Sequence, residues 1–356
     1  MFVSPIGDGM VKSTRLALAG TLLLAVSACG FADVLGRESR FSRVQRLMSS
    51  LVGDSMAGRA MGTIGSAMAA RVIAAEFDNA GVTPAGTSGY VQGIATARVT
   101  LPGGGSRIVV AEVAETLPDS AKEFLLDRNL IGIVRGSAPA VAGEVIVVGV
   151  HFDHLGVGGS VDVDSIYNGA DDDASGVVAV LEAARDLASG TPPRRTVIFA
   201  LFTGEEVGGL GSRWYMDNPV LPLEQTVAQL QVEMIGRPEP LAGGPGMLWA
   251  TGYERSTVGA ILSSGGVPVV ADPYPGENFF FRSDNVRFAY QGIPAHTLSS
   301  FNLHADYHRP SDDVEGVDFE HLVAAVETVI MAVRALADAP SPPAWNEGGQ
   351  PERIAR

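Results

Sequence analysis

Histidine and carboxylate side chains occur in this sequence in short clusters, each next to an apolar stretch. His151 comes directly after the apolar run at 145–150, and Glu206 follows the run at 196–202 within a Glu-Glu pair. The remaining candidates are Asp172, inside three consecutive aspartates, Glu233 and His308. Imidazole and carboxylate are the ligands of zinc and similar cations in a protein without a thiolate cluster. Residues so far apart in the sequence can form one metal site if separate strand ends meet at one edge of a sheet.

Each cluster also has a simpler interpretation. Three consecutive aspartates, at 171–173, are usually a solvated turn or a weak calcium site, and a Glu-Glu pair usually lies on a helix surface. An EF-hand is excluded, because Ile166 stands two positions after Asp164 and breaks the pattern of calcium ligands. The combination of five clusters beside buried strands favours a metal site. Two neighbouring cations would need a carboxylate between them, which the aspartates offer, and the glutamates at 205–206 can divide into a ligand and a base.

Strands alternating with helices must position these residues. Apolar runs of strand length lie at 130–134, 145–150 and 196–202, as expected for strands buried on both faces. Weaker strand patterns follow at 228–235, 247–251 and 295–299, and apolar spacing predicts helices over 41–52, 64–80, 175–189 and 317–337. Residues 83–128 are weakly patterned. The alternation predicts a single α/β domain with the polar clusters at its strand ends.

The composition excludes several classes of protein. With 356 residues, 46% hydrophobic and 18% charged, the chain can bury a large core, which excludes a mainly disordered or collagen-like protein. Its net charge of −15 argues against nucleic acid as a partner, because phosphate contacts need clustered cations. Cys29 is the single cysteine, so neither an intramolecular disulfide nor a cysteine-ligated metal cluster can form.

The N-terminal region is typical of an export signal. Lys12 and Arg15 precede an apolar run at 16–26, which is too short to span a membrane as a helix of about 20 residues. The sequence Val26-Ser27-Ala28-Cys29 then resembles the motif of bacterial lipoproteins in which the cysteine is acylated. An ordinary signal peptide ending near a cysteine is the alternative, and Met10 is an alternative start. We therefore expect an exported bacterial lipoprotein, anchored to the membrane through Cys29 at the periplasmic face of the cell envelope, with the outer membrane favoured over the inner.

The expected organisation follows from these boundaries. We predict a lipoprotein signal peptide at 1–28, a tether at 29–40, one domain at 41–339 and a disordered tail at 340–356. The tail is rich in proline, glycine and polar residues, which is the basis for expecting disorder there. The sequence leaves the oligomeric state open.

Several motifs around the clusters together resemble one enzyme family. They are Ala57-Gly58-Arg59 with Gly62-Thr63, Val82-Thr83-Pro84-Ala85-Gly86, Ser165-Ile166-Tyr167-Asn168-Gly169, Thr251-Gly252-Tyr253-Glu254-Arg255-Ser256 and Gly292-Ile293-Pro294-Ala295. From about residue 48 to residue 330 the chain resembles the zinc-dependent exopeptidases that include bacterial leucine aminopeptidases, glutamate carboxypeptidases and glutaminyl cyclases. The resemblance implies a mixed, mostly parallel central sheet with helices on both faces. The inserted lid domain of some members is absent, since the sequence ahead of the strand at 129–134 is too short for it.

The resemblance also implies a role for each candidate ligand. It implies two zinc ions per chain that share one bridging carboxylate, with the ligands Asp172 as the bridge, His151 and Glu233 at one ion, and Glu206 and His308 at the other. Glutamate stands at position 233 where the family often has aspartate, and it keeps the charge and the donor. Asn285 stands where histidine is common, at a position that binds no metal.

For catalysis, the resemblance implies that Glu205 is the general base. It would take a proton from the attacking water and return it to the leaving amine. Asp153 would hydrogen-bond to His151 and fix its tautomer, and Tyr307 would donate to the oxyanion. The family also implies a cis peptide bond between Asp172 and Asp173.

The most specific prediction is hydrolysis of peptide substrates at a free N-terminus. The candidate substrate-binding residues are Phe280, Phe281 and Tyr253, because aromatic side chains would line an apolar pocket; packing in the core is the alternative. Arginines at 255, 282 and 287 would suit a substrate carboxylate, as in a carboxypeptidase or dipeptidase. Two further alternatives remain: a glutaminyl cyclase-like acyl transfer with one zinc, held by Asp172, Glu206 and His308, and a non-catalytic binding lipoprotein.

Overall fold

The computed structural model describes residues 1–3, 38–101, 103–116, 118, 122–161 and 164–352. The chain divides into two compact units, Met1–Arg43 and Val44–Arg356. In the first unit the described residues are 1–3 and 38–43, and the last four begin a helix. Cys29, with most of the predicted signal peptide and tether, therefore lies outside the described residues. In the part of the chain that is described, no helix is both long enough and apolar enough to cross a membrane.

The elements are numbered along the chain. The strands are β1 (Thr83–Pro84), β2 (Val91–Thr100), β3 (Ser106–Val110), β4 (Lys122–Val134), β5 (Val145–His151), β6 (Gly156–Val161), β7 (Asp164–Tyr167), β8 (Thr196–Phe202), β9 (Thr226–Val232), β10 (Leu248–Ala250), β11 (Val269–Ala271) and β12 (Ala295–Ser299). The helices are α1 (Arg40–Val52), α2 (Ile64–Ala80), α3 (Ala111–Glu115), α4 (Gly176–Ser189), α5 (Leu210–Asp217), α6 (Val258–Ser264), α7 (Asn285–Ala289) and α8 (Phe319–Asp338). β6 and β7 pair as a two-stranded sheet, and the other strands form a ten-stranded sheet.

The centre of the large sheet is parallel, and most of its outer pairs are antiparallel. The strand order is β11-β10-β12-β9-β5-β8-β4-β2-β3, with β1 paired to β4. Pairing is parallel along β12-β9-β5-β8 and between β10 and β11, and it is antiparallel elsewhere. The predicted α/β domain with a mixed sheet is confirmed, although parallel pairs are not the majority. The carboxyl ends of β5, β8 and β9 lie at one edge, where open α/β sheets bind ligands.

Helices cover both faces of this sheet. In β5, Ile146 and Val148 pack on one face against α2, α4 and α8, whereas Val145 and Val147 pack on the other with α5 and α7. All residues of β5 and β8 are buried. Burial on both faces explains why these strands read as continuous apolar runs.

Helix α2 has the predicted bounds because both of its ends carry sequence signals. At its start the Thr63 hydroxyl accepts the main-chain N–H of Ser66, and at its end Gly81 adopts a left-handed φ of 74°. β8 and β12 also have the predicted bounds. The weakly patterned residues 83–128 instead contain β1 to β3, α3 and the start of β4, where exposed positions interrupt the apolar pattern.

Residues 340–352 are ordered, which differs from the disorder predicted for this tail. The Trp345 indole Nε1 donates to the Gly292 carbonyl oxygen (2.8 Å), and Asn346 Nδ2 donates to that of Glu254 (2.7 Å). Trp345 also packs against the apolar cluster that contains α7. Composition predicts disorder only for a segment with nothing to anchor it, and here the half-buried indole is the anchor. Residues 353–356 lie outside the described residues.

A buried histidine on β12 predicts a loss of stability in acid. Nδ1 of His296 bonds to the Thr251 carbonyl (2.7 Å) and Nε2 to the Ser256 hydroxyl (2.6 Å), and burial, with a contribution from Arg255, lowers its pKa to about 4. The unfolded chain would protonate this histidine near pH 6.5, so the folded state binds fewer protons between pH 6.5 and 4 and its stability falls as the pH falls. We expect this group to cost about 2 kcal/mol at pH 4.5 relative to pH 7.5.

Urea unfolding of the wild type and of His296→Asn at both pH values would measure this cost. The variant should be less stable at pH 7.5 but should show a weaker pH dependence. An unchanged pH dependence in the variant would contradict the assignment.

Candidate metal centre and active site

The predicted ligands meet at the carboxyl ends of the central strands. His151 is the last residue of β5, Glu233 directly follows β9, and Glu206 lies in the loop after β8. Asp172 lies in the turn before α4, and His308 lies in the loop after β12. The structure therefore brings the whole predicted set to one edge of the sheet. This placement follows from the parallel pairing of β5, β8 and β9.

Asp172 lies between two histidines. Its Oδ1 is 3.2 Å from Nε2 of His151, and its Oδ2 is 3.1 Å from Nε2 of His308. The same nitrogen of His308 is 3.3 Å from Oε2 of Glu206. Ligand atoms of one tetrahedral zinc lie about 3.3 Å apart, since each is about 2.0 Å from the ion, so these separations fit a cation site. The peptide bond between Asp172 and Asp173 is cis, as the resemblance implies.

The electrostatics of the cluster also fit a cation. Burial alone would lower the pKa of His308, but its hydrogen bonds to Asp172 and Glu206 raise it to about 10. Burial also opposes protonation of His151, yet the carboxylates of Asp153 and Asp172 raise the pKa of this histidine well above its usual value. The clustered carboxylates thus favour positive charge at both imidazoles. A divalent cation would supply the same positive charge.

The adjacent glutamates have opposite pKa shifts. Burial and Asp172 would raise the pKa of Glu206, but its hydrogen bonds to His154 and His308 outweigh them and lower it. Burial raises the pKa of Glu205 well above its usual value, and the charge of Glu233 adds to this effect. Two carboxylates whose environments separate their pKa values can divide ligand and base roles. Of the two, Glu205 has the raised pKa and Glu206 the lowered one.

Glu233 is half-buried beside polar partners. It accepts hydrogen bonds from the Ser283 hydroxyl and from Nε2 of Gln231 (3.3 Å). Burial raises its pKa to about 7, while His151 and Ser283 act in the opposite direction. The side chain lines the same pocket as His151 and Asp172, and Ser283 and Gln231 orient it there.

Asp153 acts on two neighbours through different atoms. Nδ1 of His151 bonds to the main-chain carbonyl of Asp153 (3.1 Å), whereas the carboxylate oxygen Oδ1 lies 3.8 Å from that nitrogen. The same carboxylate oxygen accepts the main-chain N–H of Glu205 (3.1 Å). The tautomer of His151 is thus set by a carbonyl, where the sequence predicted a carboxylate. The carboxylate instead holds the main chain at Glu205.

His154 is a candidate that the sequence reasoning missed. It is fully buried, and its Nδ1 lies 2.8 Å from Oε1 of Glu206 and 3.8 Å from Oδ2 of Asp172. Together these three residues offer donor atoms within 4.8 Å of one another, a set that can hold a metal ion. Gly169 makes room for the ring, because a Cβ there would lie 2.5 Å from it. The sequence shows His154 three residues after His151. It does not show that the loop turns this side chain toward Glu206, because residue periodicity does not encode the direction of a loop.

The pocket beside the cluster has different aromatic walls from those predicted. It is lined by His151, Asp172, Glu205, Glu233, Met234, Trp249, Thr251, Phe279, Arg282, Thr297, Ser299, Phe301, Tyr307 and His308. Phe280 is instead buried against α7, and Arg255 lies over its ring. Phe281 is 41% exposed, and Tyr253 packs against the core on the other face of the sheet. Three consecutive phenylalanines point in different directions, and Phe279 is the one that lines this pocket.

Tyr307 does lie in this pocket. Its ring stacks on His308 with a centroid distance of 3.9 Å and packs against Phe301 at 5.4 Å. Burial, together with the charges of Asp172 and Glu206, raises the pKa of its hydroxyl. The hydroxyl therefore stays protonated and can donate a hydrogen bond.

Fold and site together define an α/β protein of the metallopeptidase type. The model of peptidase family M28 matches residues 129–333, which contain all the predicted ligands. The chain belongs to peptidase family M28, a family of metallopeptidases. This confirms at the family level the resemblance that the motifs indicated.

Individual relatives show how far the likeness extends. A probable leucine aminopeptidase 2 of Aspergillus fumigatus is 25% identical over 341 residues, covering 89% of this chain and 62% of its own length. The chain thus spans about three fifths of that relative. Among solved structures, the zinc aminopeptidase BSAP of Bacillus subtilis has a TM-score of 0.58 at 18% identity, covering 84% of this chain and 95% of that one. A glutaminyl cyclase of Porphyromonas gingivalis has a TM-score of 0.56 at 19% identity, covering 83% and 96%. The fold alone therefore does not separate these two activities.

Proposed function

We propose that this chain is a dizinc aminopeptidase, which removes the first residue from peptides. The observation that carries the proposal is Asp172, whose two carboxylate oxygens face different histidines at 3.2 and 3.1 Å. Asp172 would be shared by the two ions, His151 and Glu233 would help to hold one of them, and Glu206 and His308 would help to hold the other. All of these positions, and Glu205, keep competent side chains, which argues against a non-catalytic binding protein.

The chain's own residues would move the protons. When bound, zinc would lower the pKa of water and polarise the scissile carbonyl. Glu205 takes a proton from the attacking water on its carboxylate and returns it to the leaving amine nitrogen. The hydroxyl of Tyr307 donates a hydrogen bond to the carbonyl oxygen as negative charge develops there.

The pocket favours the free N-terminus of a peptide over its C-terminus. Glu205 and Glu233 line it together with the aromatic walls, and their carboxyl oxygens can accept hydrogen bonds from the ammonium group of an N-terminal residue. Arg282 is held over the Phe279 ring, 4.8 Å from its centroid. An apolar first side chain would contact Phe279, Phe301 and Trp249. In a carboxypeptidase or dipeptidase, Arg282 would be the arginine of this pocket that pairs with the substrate carboxylate.

Two neighbouring phenylalanines offer a test of the pocket. We expect Phe279→Ala to lower kcat/KM about 10- to 100-fold for peptides that begin with leucine or phenylalanine, because wall contacts are lost. For peptides that begin with alanine the effect should be small. Phe281→Ala is the matched control and should leave the ratio of these kcat/KM values unchanged, since Phe281 lies outside the pocket. If both substitutions changed this ratio equally, the first side chain of the substrate would not bind against Phe279.

A single-metal acyl transfer, as in a glutaminyl cyclase, is the second candidate. It is favoured by one observation, the compact donor set formed by His154, Asp172 and Glu206 on the side of His308. Such an enzyme would use one ion and would not need His151 or Glu233. The metal content of the purified chain separates the two readings: two zinc ions per chain support the peptidase and one supports the cyclase.

The decisive experiment is a panel of substrates with zinc added. It should contain peptides with free N-termini, the same peptides acylated at the N-terminus, and peptides that begin with glutamine. We expect cleavage of the free peptides alone and the loss of this cleavage on chelation. Cleavage of acylated peptides from their C-terminal end would indicate a carboxypeptidase, and cyclised glutamine would indicate a cyclase.

The cellular location is proposed from the sequence around Cys29. We propose a lipoprotein that is anchored through an acylated Cys29 and presents its catalytic domain at the periplasmic face of the cell envelope. Its partners would be peptides and the membrane surface. Incorporation of labelled fatty acid into the wild type, but not into Cys29→Ser, would support this anchor.

A further inference from the structure

A buried arginine connects the two loops that carry the central ligands. Arg59 is 1% exposed. Four of its N–H groups donate to main-chain carbonyl oxygens: Nε to Phe152 (3.0 Å), Nη1 to Leu51 (2.8 Å) and Asn168 (2.6 Å), and Nη2 to Gly169 (2.8 Å). A guanidinium group has five such donors in a rigid fork, so most of its capacity is used on the main chain.

The carbonyls that Arg59 binds flank the proposed metal ligands. Phe152 stands between His151 and Asp153, and Asn168 and Gly169 directly precede the turn that carries Asp172. One side chain therefore holds the end of β5 and the Asp172 turn at a fixed distance from each other. That distance determines whether His151 and Asp172 can bind the same ion.

The backbone around Arg59 is shaped to place it there. Ala57, Gly58 and Arg59 adopt positive φ values of 47°, 63° and 50°, which L-residues rarely do in succession. Gly58 is required, because a Cβ there would lie 2.5 Å from the carbonyl oxygens of Gly156 and Tyr167. Such a turn is kept only where the surrounding contacts enforce it. Here those contacts are the carbonyls of the ligand loops.

A carboxylate holds the other side of the Asp172 turn. Asp312 accepts the main-chain N–H groups of Asp171 (3.0 Å) and Asp172 (3.0 Å). The carbonyl oxygens just before the turn therefore bind the cation of Arg59, and the N–H groups within it bind the carboxylate of Asp312. This arrangement stabilises the peptide dipoles of the turn in one orientation.

We infer that Arg59 is a positioning residue for the metal centre, setting the affinity for the ions through the distance between His151 and Asp172. This inference rests on the proposed metal centre. Changes to groups that orient metal ligands typically lower metal affinity 10- to 100-fold. Arg59→Lys keeps the charge but offers three donors without the planar fork, so two loops can no longer be held at once.

The test compares two equally buried arginines in the full chain. Arg195 is 0% exposed and bonds to Glu144 (2.6 Å) and to the Ala339 carbonyl, away from the ligand loops. Metal-free wild type, Arg59→Lys and Arg195→Lys would be titrated with Co²⁺, whose visible absorption reports ligand geometry. We expect a 10- to 100-fold loss of Co²⁺ affinity and an altered spectrum for Arg59→Lys alone, although both variants lower the melting temperature of the metal-free protein.

The outcomes separate this inference from the proposed function. A wild type that binds no ion contradicts the metal centre itself, whereas a wild type that binds metal while Arg59→Lys binds it equally well overturns only the role of Arg59. An equal loss in Arg195→Lys also overturns it, since the effect would then be one of general stability. If Arg59→Lys does not fold, the wild-type Arg59 Nε–H resonance gives the answer. It should shift when Zn²⁺ is added to the metal-free protein while that of Arg195 does not, and a static Arg59 resonance would contradict the inference.

Discussion

Glu205→Gln should keep its metal and lose its peptidase activity. The substitution preserves the size of the side chain and removes its ability to accept a proton, and general-base catalysis contributes about 10²- to 10⁴-fold to a rate. We expect kcat to fall by that factor with little change in KM, because the carboxylate acts on the water and not on substrate binding. Steady-state kinetics with elemental analysis of the same sample would measure both quantities.

Glu206→Gln is the matched control, one residue further along the same loop. Its carboxylate faces His308 and His154 as a ligand should, so this variant is expected to lose metal as well as activity. The pair distinguishes the two glutamates by metal content. A Glu205→Gln variant with wild-type kcat would show that Glu205 is not the general base. If this variant lost its metal, Glu205 would be a metal ligand and Glu206 would be the candidate base.

Asp172→Asn should abolish metal binding and activity together. The amide keeps one oxygen but loses the charge, and its nitrogen cannot replace the second ligand atom. Since both histidines face this one carboxylate, we expect metal content to fall from two ions to below one under conditions that saturate the wild type. Activity should fall below that of Glu205→Gln. Metal analysis after dialysis at defined zinc concentrations would give the numbers.

Asp173→Asn is the matched control for Asp172→Asn, because it removes the same charge at the next residue. The Asp173 carboxylate accepts the main-chain N–H groups of Gly176 (3.1 Å) and Met234 (2.9 Å), and an asparagine oxygen can do the same. This variant should keep both ions. If Asp172→Asn retained two ions while losing activity, the bridging role would be refuted and Asp172 would act on the substrate.

Three of the candidate ligands, His151, Glu206 and Glu233, could be predicted from the sequence because they follow buried strands. The runs before His151 and Glu206 are apolar throughout, and they mark the strands before the fold is known. Parallel pairing of β5, β8 and β9 then brings their ends together. Helix α2 was predictable for a similar reason, since Thr63 and Gly81 mark its ends locally.

The residues that were missed depend on contacts between distant segments. Arg59 acts through carbonyl oxygens, which every residue has, so no side-chain pattern indicates its partners. The pocket walls come from Trp249, Phe279 and Phe301, which are brought together by β10, β12 and the segment between them. Which of three consecutive phenylalanines faces the pocket depends on a short turn whose direction no periodicity encodes.

The position of Trp345 has a practical consequence. Its partners, Gly292 and the residues after β10, lie at the amino end of β12, whereas the candidate metal ligands lie at the carboxyl ends of the strands parallel to it. A label, tag or surface linkage attached beyond residue 352 would thus start from the edge of the sheet opposite to the pocket. An electrode or bead coupled there would leave the entrance for peptides open. Shortening the chain to residue 339 would remove Trp345 and its contacts at this edge of the sheet.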